Sequence, residues 1–294
     1  MIPKFEEIRI ENTNACVLDC AMCPRRQMTR TIGRMTFDAF VELCQRLNLS
    51  LRDSQLRSVD LHGFGEPLLD FELPKKIRYI HTLYPHLKTR IVTSMAYCTN
   101  IMMEELLESG LNEIVISHYA TTESEYQKIH GRSGYKSTRK NINELIHRVI
   151  STKKSIHIVI ESLRFGGFLQ EEQELARQIR LKEWYNQFLS DGVSVRQFSN
   201  LHNWGSSFSF QNKSDRICSI VNGFRRRVLQ ITWEGNVVPC CFDYNSEIVF
   251  GNVFNSDLDT IFSSNKYEYF IDCHKRNEIE LLTPCKNCQK CLIP

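Results

Sequence analysis

Cys16, Cys20 and Cys23 stand three and two residues apart in Asn14-Ala15-Cys16-Val17-Leu18-Asp19-Cys20-Ala21-Met22-Cys23-Pro24. Three thiolates on one loop suit a 4Fe-4S cube and leave one iron without a protein ligand. Ordinary 4Fe-4S carriers and structural zinc sites both close on four ligands. No histidine lies near this loop in the sequence to complete a zinc tetrahedron. A cluster with one open iron can chelate a substrate or cofactor through nitrogen and oxygen donors. The last third of the chain holds seven more of the twelve cysteines. In a reducing compartment such usage favours metal ligation or catalysis over disulfides.

Positioning these groups requires a frame, and the sequence supplies an alternating one. Six β-rich runs recur at Phe5 to Ile10, Leu56 to Leu61, Lys88 to Thr93, Glu113 to Ser117, Ile156 to Ile160 and Val193 to Phe198. Helical patterns separate them, with start signals at Thr36 and at Thr122 with Glu125, the latter spaced as a capping box. Strand-helix alternation predicts an α/β fold with a parallel sheet. Ligands of such sheets bind beyond the carboxyl ends of the strands. The cysteine loop follows the first run, His62-Gly63-Phe64-Gly65-Glu66-Pro67-Leu68 the second, Ser94 the third and Ser117 the fourth. Around Leu201 to Gln211 the alternation stops, which marks a boundary between residues 1–200 and 201–294. Beyond it, Val228 to Trp233 and Asn236 to Cys240 flank a Glu234-Gly235 hairpin turn, and Ser256 is expected to cap a short helix through Phe262. Little continuous core pattern remains there, so a small domain organised by metal is expected.

Composition narrows the function classes. With 42% hydrophobic residues in 294, the chain can bury one large core. A net charge of +3 and a densest basic run of only Arg225 to Arg227 argue against a nucleic-acid groove; that run reads as a solvated turn. No apolar run approaches the ~20 residues of a membrane span, and Met1 to Glu7 lacks the apolar centre of a signal peptide. A cytoplasmic protein is expected.

The C-x3-C-x2-C loop, with its context, resembles the hallmark of the radical S-adenosylmethionine (SAM) superfamily over roughly residues 5 to 200. The resemblance implies a partial (β/α)6 barrel of parallel strands, a 4Fe-4S cluster on Cys16, Cys20 and Cys23, and bound SAM. Gly65, Glu66 and Pro67 resemble the family's GEP motif, which contacts the cofactor's amino group; Ser94 and Ser117 match positions that touch its ribose or carboxylate. Glycines allow close backbone approach, and a carboxylate suits an ammonium. The residue before the third cysteine is usually aromatic in the family, whereas this chain has Met22, an apolar substitute.

Cys218, the Gly235-to-Cys240 segment and Cys285-Lys286-Asn287-Cys288 follow the order of the twitch and SPASM extensions, which bind auxiliary 4Fe-4S clusters. The resemblance implies a small C-terminal iron-sulfur domain with one auxiliary cluster on Cys218, Cys240, Cys285 and Cys288. A zinc ribbon uses similar pairs and is the alternative. Of the remaining cysteines, Cys44 lies in a helical pattern and reads as a small core residue, and Cys98 as structural; Cys273 is left without a role. Cys241 and Cys291 sit beside the implied ligands, where a thiol near substrate can donate a hydrogen atom or serve as a spare ligand. Candidate substrate contacts at strand ends are His62, His118, Glu161 and Arg196.

The implied chemistry is hydrogen abstraction by a 5'-deoxyadenosyl radical, with electrons from a reductant such as flavodoxin or ferredoxin. The fate of the substrate radical divides the expectations. Loss of an electron to the auxiliary cluster turns an alcohol into a ketone. Return of hydrogen from a thiol such as Cys241 gives epimerisation, the outcome toward which the unassigned thiols lean. A carbohydrate-like small molecule is the expected substrate, and modification of a short peptide is the alternative. An iron-sulfur electron carrier without catalysis is a third reading, against which the three-cysteine loop and its GEP segment speak.

Overall fold

β-Branched residues alternate along short runs and amphipathic stretches separate them, so strands and helices succeed one another. The computed structural model describes residues 3–163, 170–189, 193–198, 218, 221, 227–286 and 288, with only the backbone of 195–198. Six strands are β1 (Glu7–Ile10), β2 (Ser58–Asp60), β3 (Lys88–Thr93), β4 (Glu113–Ser117), β5 (His157–Leu163) and β6 (Val193–Phe198). Between them run helices α1 (Phe37–Arg46), α2 (Asn48–Leu51), α3 (Leu73–Leu83), α4 (Asn100–Leu107), α5 (Glu123–His130), α6 (Tyr135–Ser151) and α7 (Glu171–Asn186). Neighbouring strands of the six pair in parallel in the order β6-β5-β4-β3-β2-β1. This unclosed α/β sheet is the partial (β/α)6 barrel expected.

Ile8, Ile10, Val59, Ile91, Ile114, Ile116, Ile158 and Ile160 are fully buried in the core, together with Phe40, Leu43 and Cys44 of α1 and Ile142, Leu145 and Ile146 of α6. Side chains alternate across a strand, so the residues between those apolar positions form the opposite, inward face. There, register sets Arg9 beside Asp60, Asp60 beside Arg90, Arg90 beside Glu113 and Glu113 beside His157. One step further along lie His62, Val92 and Val115, and then Ser94 and Ser117.

Caps fall where hydroxyl side chains precede helical runs. Thr36 and Thr122 accept hydrogen bonds from the backbone N–H of Ala39 and Glu125. The capping box is displaced by one residue: the Glu125 carboxylate accepts from the backbone and hydroxyl of Thr121, and not from Thr122.

The C-terminal part continues the same sheet. β7 (Val228–Ile231) pairs in parallel with β1, and β8 (Asn236–Val238) and β9 (Gly251–Asn252) follow antiparallel. The turn at Glu234-Gly235 is the hairpin expected. Helices α8 (Leu258–Phe262) and α9 (Asn265–Lys275) follow. Asp257, not Ser256, caps α8, through its carboxylate and the Thr260 N–H at 2.7 Å; it lies one residue closer to the first turn. Leu229, Ile231, Val237, Phe250, Phe262 and Phe270 join the main core. This segment therefore holds more core than its sequence pattern suggests, because its apolar residues complete a layer begun by β1. The boundary segment Leu201 to Gln211, Cys291 and the first two arginines of Arg225 to Arg227 lie outside the described residues, while Arg227 is exposed. Among the described residues no helix is long and apolar enough to cross a membrane.

Candidate active site

The cysteine loop leaves β1 and is clamped from three sides before it reaches its thiols. Asn14 donates to the Thr31 carbonyl and accepts from the Gly33 N–H, both at 2.8 Å, and the Thr13 hydroxyl donates to the Gly33 carbonyl at 2.7 Å. Below, the Glu66 N–H donates to the Ala15 carbonyl at 2.7 Å. That approach requires glycine at 65, because a Cβ there would stand 2.4 Å from the Thr13 carbonyl oxygen and 2.5 Å from that of Ala15. On the third side, the N–H groups of Asp19 and Ala21 donate to the carbonyls of His130 and Ile129, at 3.0 and 2.9 Å. Gly131 ends α5 with φ +72°, and a Cβ on it would lie 2.3 Å from the Asp19 carbonyl oxygen. Gly131→Ala is therefore expected to combine left-handed strain of about 1–2 kcal/mol with displacement of the loop. Iron bound per chain after anaerobic reconstitution would fall; unchanged iron loading would contradict this.

Held in this way, Cys16, Cys20 and Cys23 line one pocket of about 170 Å³ with His62, Gly65, Glu66, Val92, Ser94 and Ser117. The structure thus brings together the triad, two residues of the GEP segment and both strand-end serines. Pro67 lies outside that lining; it is buried and begins a short 3-10 turn, Pro67–Leu69. Met22 is buried against Ile129, with Tyr119 and Leu163 packed alongside.

The electrostatics favour a cationic occupant. Burial pushes Cys16 up to about 11, where the neighbouring Glu66 and Cys23 also oppose its thiolate. Burial raises Cys20 further, with Cys23 and Cys16 adding to it, and burial raises Cys23 as well. Three thiols that each resist ionisation become thiolates when iron supplies positive charge. Among the described residues no three His, Cys, Asp or Glu are grouped to hold a single metal ion. The triad instead surrounds a volume, and its all-sulfur donor set fits a cluster. Glu66 is 3% exposed and its carboxyl is raised by burial; hydrogen bonds from Ser94 and Thr93 pull it back. Ser94 donates through its N–H at 2.9 Å and its hydroxyl at 2.6 Å. This positioned, desolvated carboxylate beside the triad suits the ammonium of an amino acid. His62 is driven well below its usual range by burial, then by Arg9 and Arg90, so its ring is neutral; Nδ1 has no partner among the described residues.

Register sorts the other candidates. Ser117 pairs with Glu161, which shares its inward face. Arg196 pairs with Glu161, but its side chain lies outside the described residues. His118 is not at the site: one residue past Ser117, it turns to the helix side. There it is fully buried against Tyr126, Tyr135 and Trp184. Strand alternation explains this correction.

The second set of thiols also gathers. Burial, with Cys241, Cys285 and Cys288 nearby, holds Cys240 far above its usual range, and burial with Cys218 and Cys288 raises Cys285. A turn in which the Cys288 N–H donates to the Cys285 carbonyl at 2.9 Å puts that pair on one side of the chain. Cys241, half-buried, packs against the same core as Cys240. Burial lowers the Arg9 pKa, yet Cys241, Glu7 and Asp60 raise it on balance. Cys44 is buried in α1, as expected; Cys273 is buried in α9, and Cys98 is half-buried.

Two residues absent from the sequence reading tie the parts together. Arg30 bonds both Glu11 carboxylate oxygens, the Tyr244 carbonyl at 2.8 Å and Glu234 at 3.3 Å. Glu11 in turn accepts from the N–H groups of Phe64 and Trp233. Their separations of 19 to 222 residues follow no local period, so only the fold reveals them. His130 was missed for the same reason; its Nδ1 lies 3.4 Å from Cys20 Sγ.

Comparison with known proteins gives two family matches: a radical SAM superfamily model over residues 10–163 and the SPASM iron-sulfur cluster-binding domain over residues 223–289. The S-adenosyl-L-methionine-dependent 2-deoxy-scyllo-inosamine dehydrogenase of Niallia circulans is 20% identical over 290 residues, covering 97% of this chain and 92% of that protein. BtrN in complex with AdoMet and 2-DOIA superposes with a TM-score of 0.66 at 19% identity, covering 98% of this chain and 94% of that one. Streptococcus suis SuiB bound to precursor peptide SuiA also gives 0.66, at 15% identity over 92% of this chain and 67% of that one. At these identities the solved structures share the fold.

Proposed function

The chain belongs to the radical SAM superfamily, and from that premise we propose that it is a radical epimerase of a carbohydrate-like small molecule, with Cys241 as hydrogen donor. In this reading Cys16, Cys20 and Cys23 hold the 4Fe-4S cluster, and Gly65, Glu66, Ser94 and Ser117 cradle SAM; Pro67 sets the turn behind Glu66. Cys218, Cys240, Cys285 and Cys288 hold one auxiliary cluster in a C-terminal unit, 201–294, set against a catalytic unit, 1–200. When bound, the cluster and SAM supply a 5'-deoxyadenosyl radical that takes a hydrogen atom from one C–H bond.

The chain's own residues then decide the outcome. Glu66 would hold the cofactor's ammonium with its carboxylate already oriented by Ser94 and Thr93. His62, neutral and lacking a partner at Nδ1 among the described residues, can take a hydrogen bond from a substrate hydroxyl. The observation that carries the reading is the place of Cys241. It is half-buried against the main core on the side of the implied auxiliary ligands, next to Cys240. A thiol on that side can give its hydrogen atom to the face of the substrate opposite the one that lost it: the S–H bond breaks as the new C–H bond forms. The sulfur radical left behind needs one electron and one proton, which a flavodoxin or ferredoxin and solvent would supply. A reducing, cytoplasmic setting suits this, since no disulfide joins the described cysteines.

Dehydrogenation to a ketone is the second reading, favoured by similarity to the Niallia circulans dehydrogenase along nearly all of both chains. Mass spectrometry of turnover in heavy water separates the two. Unchanged constitution with one deuterium at carbon, lost in Cys241→Ala, is the expected result. Loss of two hydrogens, with Cys241→Ala fully active, would overturn it in favour of oxidation. A product formed only from a short peptide would overturn the substrate class.

A further inference from the structure

We propose that His130 is a positioning residue that donates a hydrogen bond from Nδ1 to Cys20 Sγ and so raises the reduction potential of the cluster held there. The proposal rests on the reading of Cys16, Cys20 and Cys23 as cluster ligands.

Three observations support it. The Nδ1 to Sγ distance is 3.4 Å. A sulfur bound to iron carries no proton, so the nitrogen must be the donor; this selects the tautomer with hydrogen on Nδ1. The other nitrogen, Nε2, is buried and has no partner among the described residues, so nothing there competes for the proton. Finally, the ring is fixed. It lies parallel to Tyr119, with centroids 5.8 Å apart and planes 5° apart, and 4.5 Å from Tyr126.

The backbone holds donor and acceptor as one unit. His130 is the last residue of α5, and its carbonyl accepts from the Asp19 N–H, the residue before Cys20. The Ala21 N–H on the other side of Cys20 bonds to Ile129. The two elements move together, so the N–H···S contact is kept whenever the loop is in place. Reduction adds negative charge to the cluster, and donors to its sulfurs stabilise that charge. This donor therefore makes the cluster easier to reduce.

Two variants separate the donor from the stack. His130→Phe keeps the ring between Tyr119 and Tyr126 but has no N–H. His130→Asn loses the ring but can present an amide N–H near the position of Nδ1. Redox titration of the reconstituted full chain, followed by the electron paramagnetic resonance signal that changes on adding SAM, reads the potential. His130→Phe is expected to lower the ratio of reduced to oxidised cluster three- to tenfold at fixed potential, up to about 59 mV for one electron, and His130→Asn to restore part of it. An unmoved potential in His130→Phe at full iron content would overturn the proposal. So would a potential that falls equally in both variants, since it would then follow the stack. Absence of any SAM-sensitive signal in the unmodified protein would instead overturn the ligand assignment itself.

Discussion

Replacing Cys16, Cys20 and Cys23 together by alanine is expected to remove about four irons per chain and abolish formation of 5'-deoxyadenosine, while the fold survives. Among the described residues no further cysteine lines the pocket to take over as thiolate ligand. The fold should persist because the loop is held by backbone and amide groups: Asn14 to Thr31 and Gly33, Glu66 to Ala15, and Asp19 and Ala21 to the end of α5. The variant should keep its circular dichroism and the irons of the auxiliary set. Cys285→Ala with Cys288→Ala should do the reverse, losing auxiliary iron and retaining cleavage of SAM. Anaerobic iron analysis with product chromatography checks both. Retained 5'-deoxyadenosine in the triad variant would refute the assignment of the first set.

The second large effect concerns Arg30, whose side chain is 7% exposed and pairs with Glu11 at 2%. Removing one partner of a buried pair leaves an uncompensated charge and costs about 3–5 kcal/mol. Arg30→Met should approach that value, since Glu11 would remain buried beneath Phe64 and Trp233. The same substitution unties the cysteine loop from Tyr244 and Glu234, so the C-terminal hairpin should loosen with it. Denaturant unfolding of Arg30→Met, Glu11→Gln and the double variant measures the coupling. The double variant should be less destabilised than the sum of the singles, because it contains neither buried charge. Additive effects would show that the two do not act as a pair.

Much of this was readable from the sequence because it follows local periods. β3, β4 and β6 begin and end where their β-rich runs do, and Thr36 and Thr122 cap the helices they precede. The three-thiol loop was legible from its spacing, whereas Glu66 and the strand-end serines were singled out by the family resemblance, and the structure lines one pocket with all of them. What failed depended on one-residue phase or on distance. His118 follows Ser117 directly, and a period of two sends it to the opposite face, among aromatics of α5, α6 and α7. The Asp257 cap lies one residue from the serine expected, since both side chains can cap and only the helix start distinguishes them. β7 beside β1, Arg30 on Glu11 and His130 on Cys20 join positions far apart in the chain, where no pattern within a window carries a signal.

The central claim is that the three-cysteine loop and its GEP neighbour form a centre that splits SAM. The most direct test is to incubate the reconstituted, chemically reduced protein with SAM alone under anaerobic conditions and measure 5'-deoxyadenosine and methionine. The account predicts both products in equal amounts, dependent on reductant and absent from the triad variant. A fully iron-loaded protein that forms neither product, with or without extracts containing candidate sugars and peptides, would contradict it.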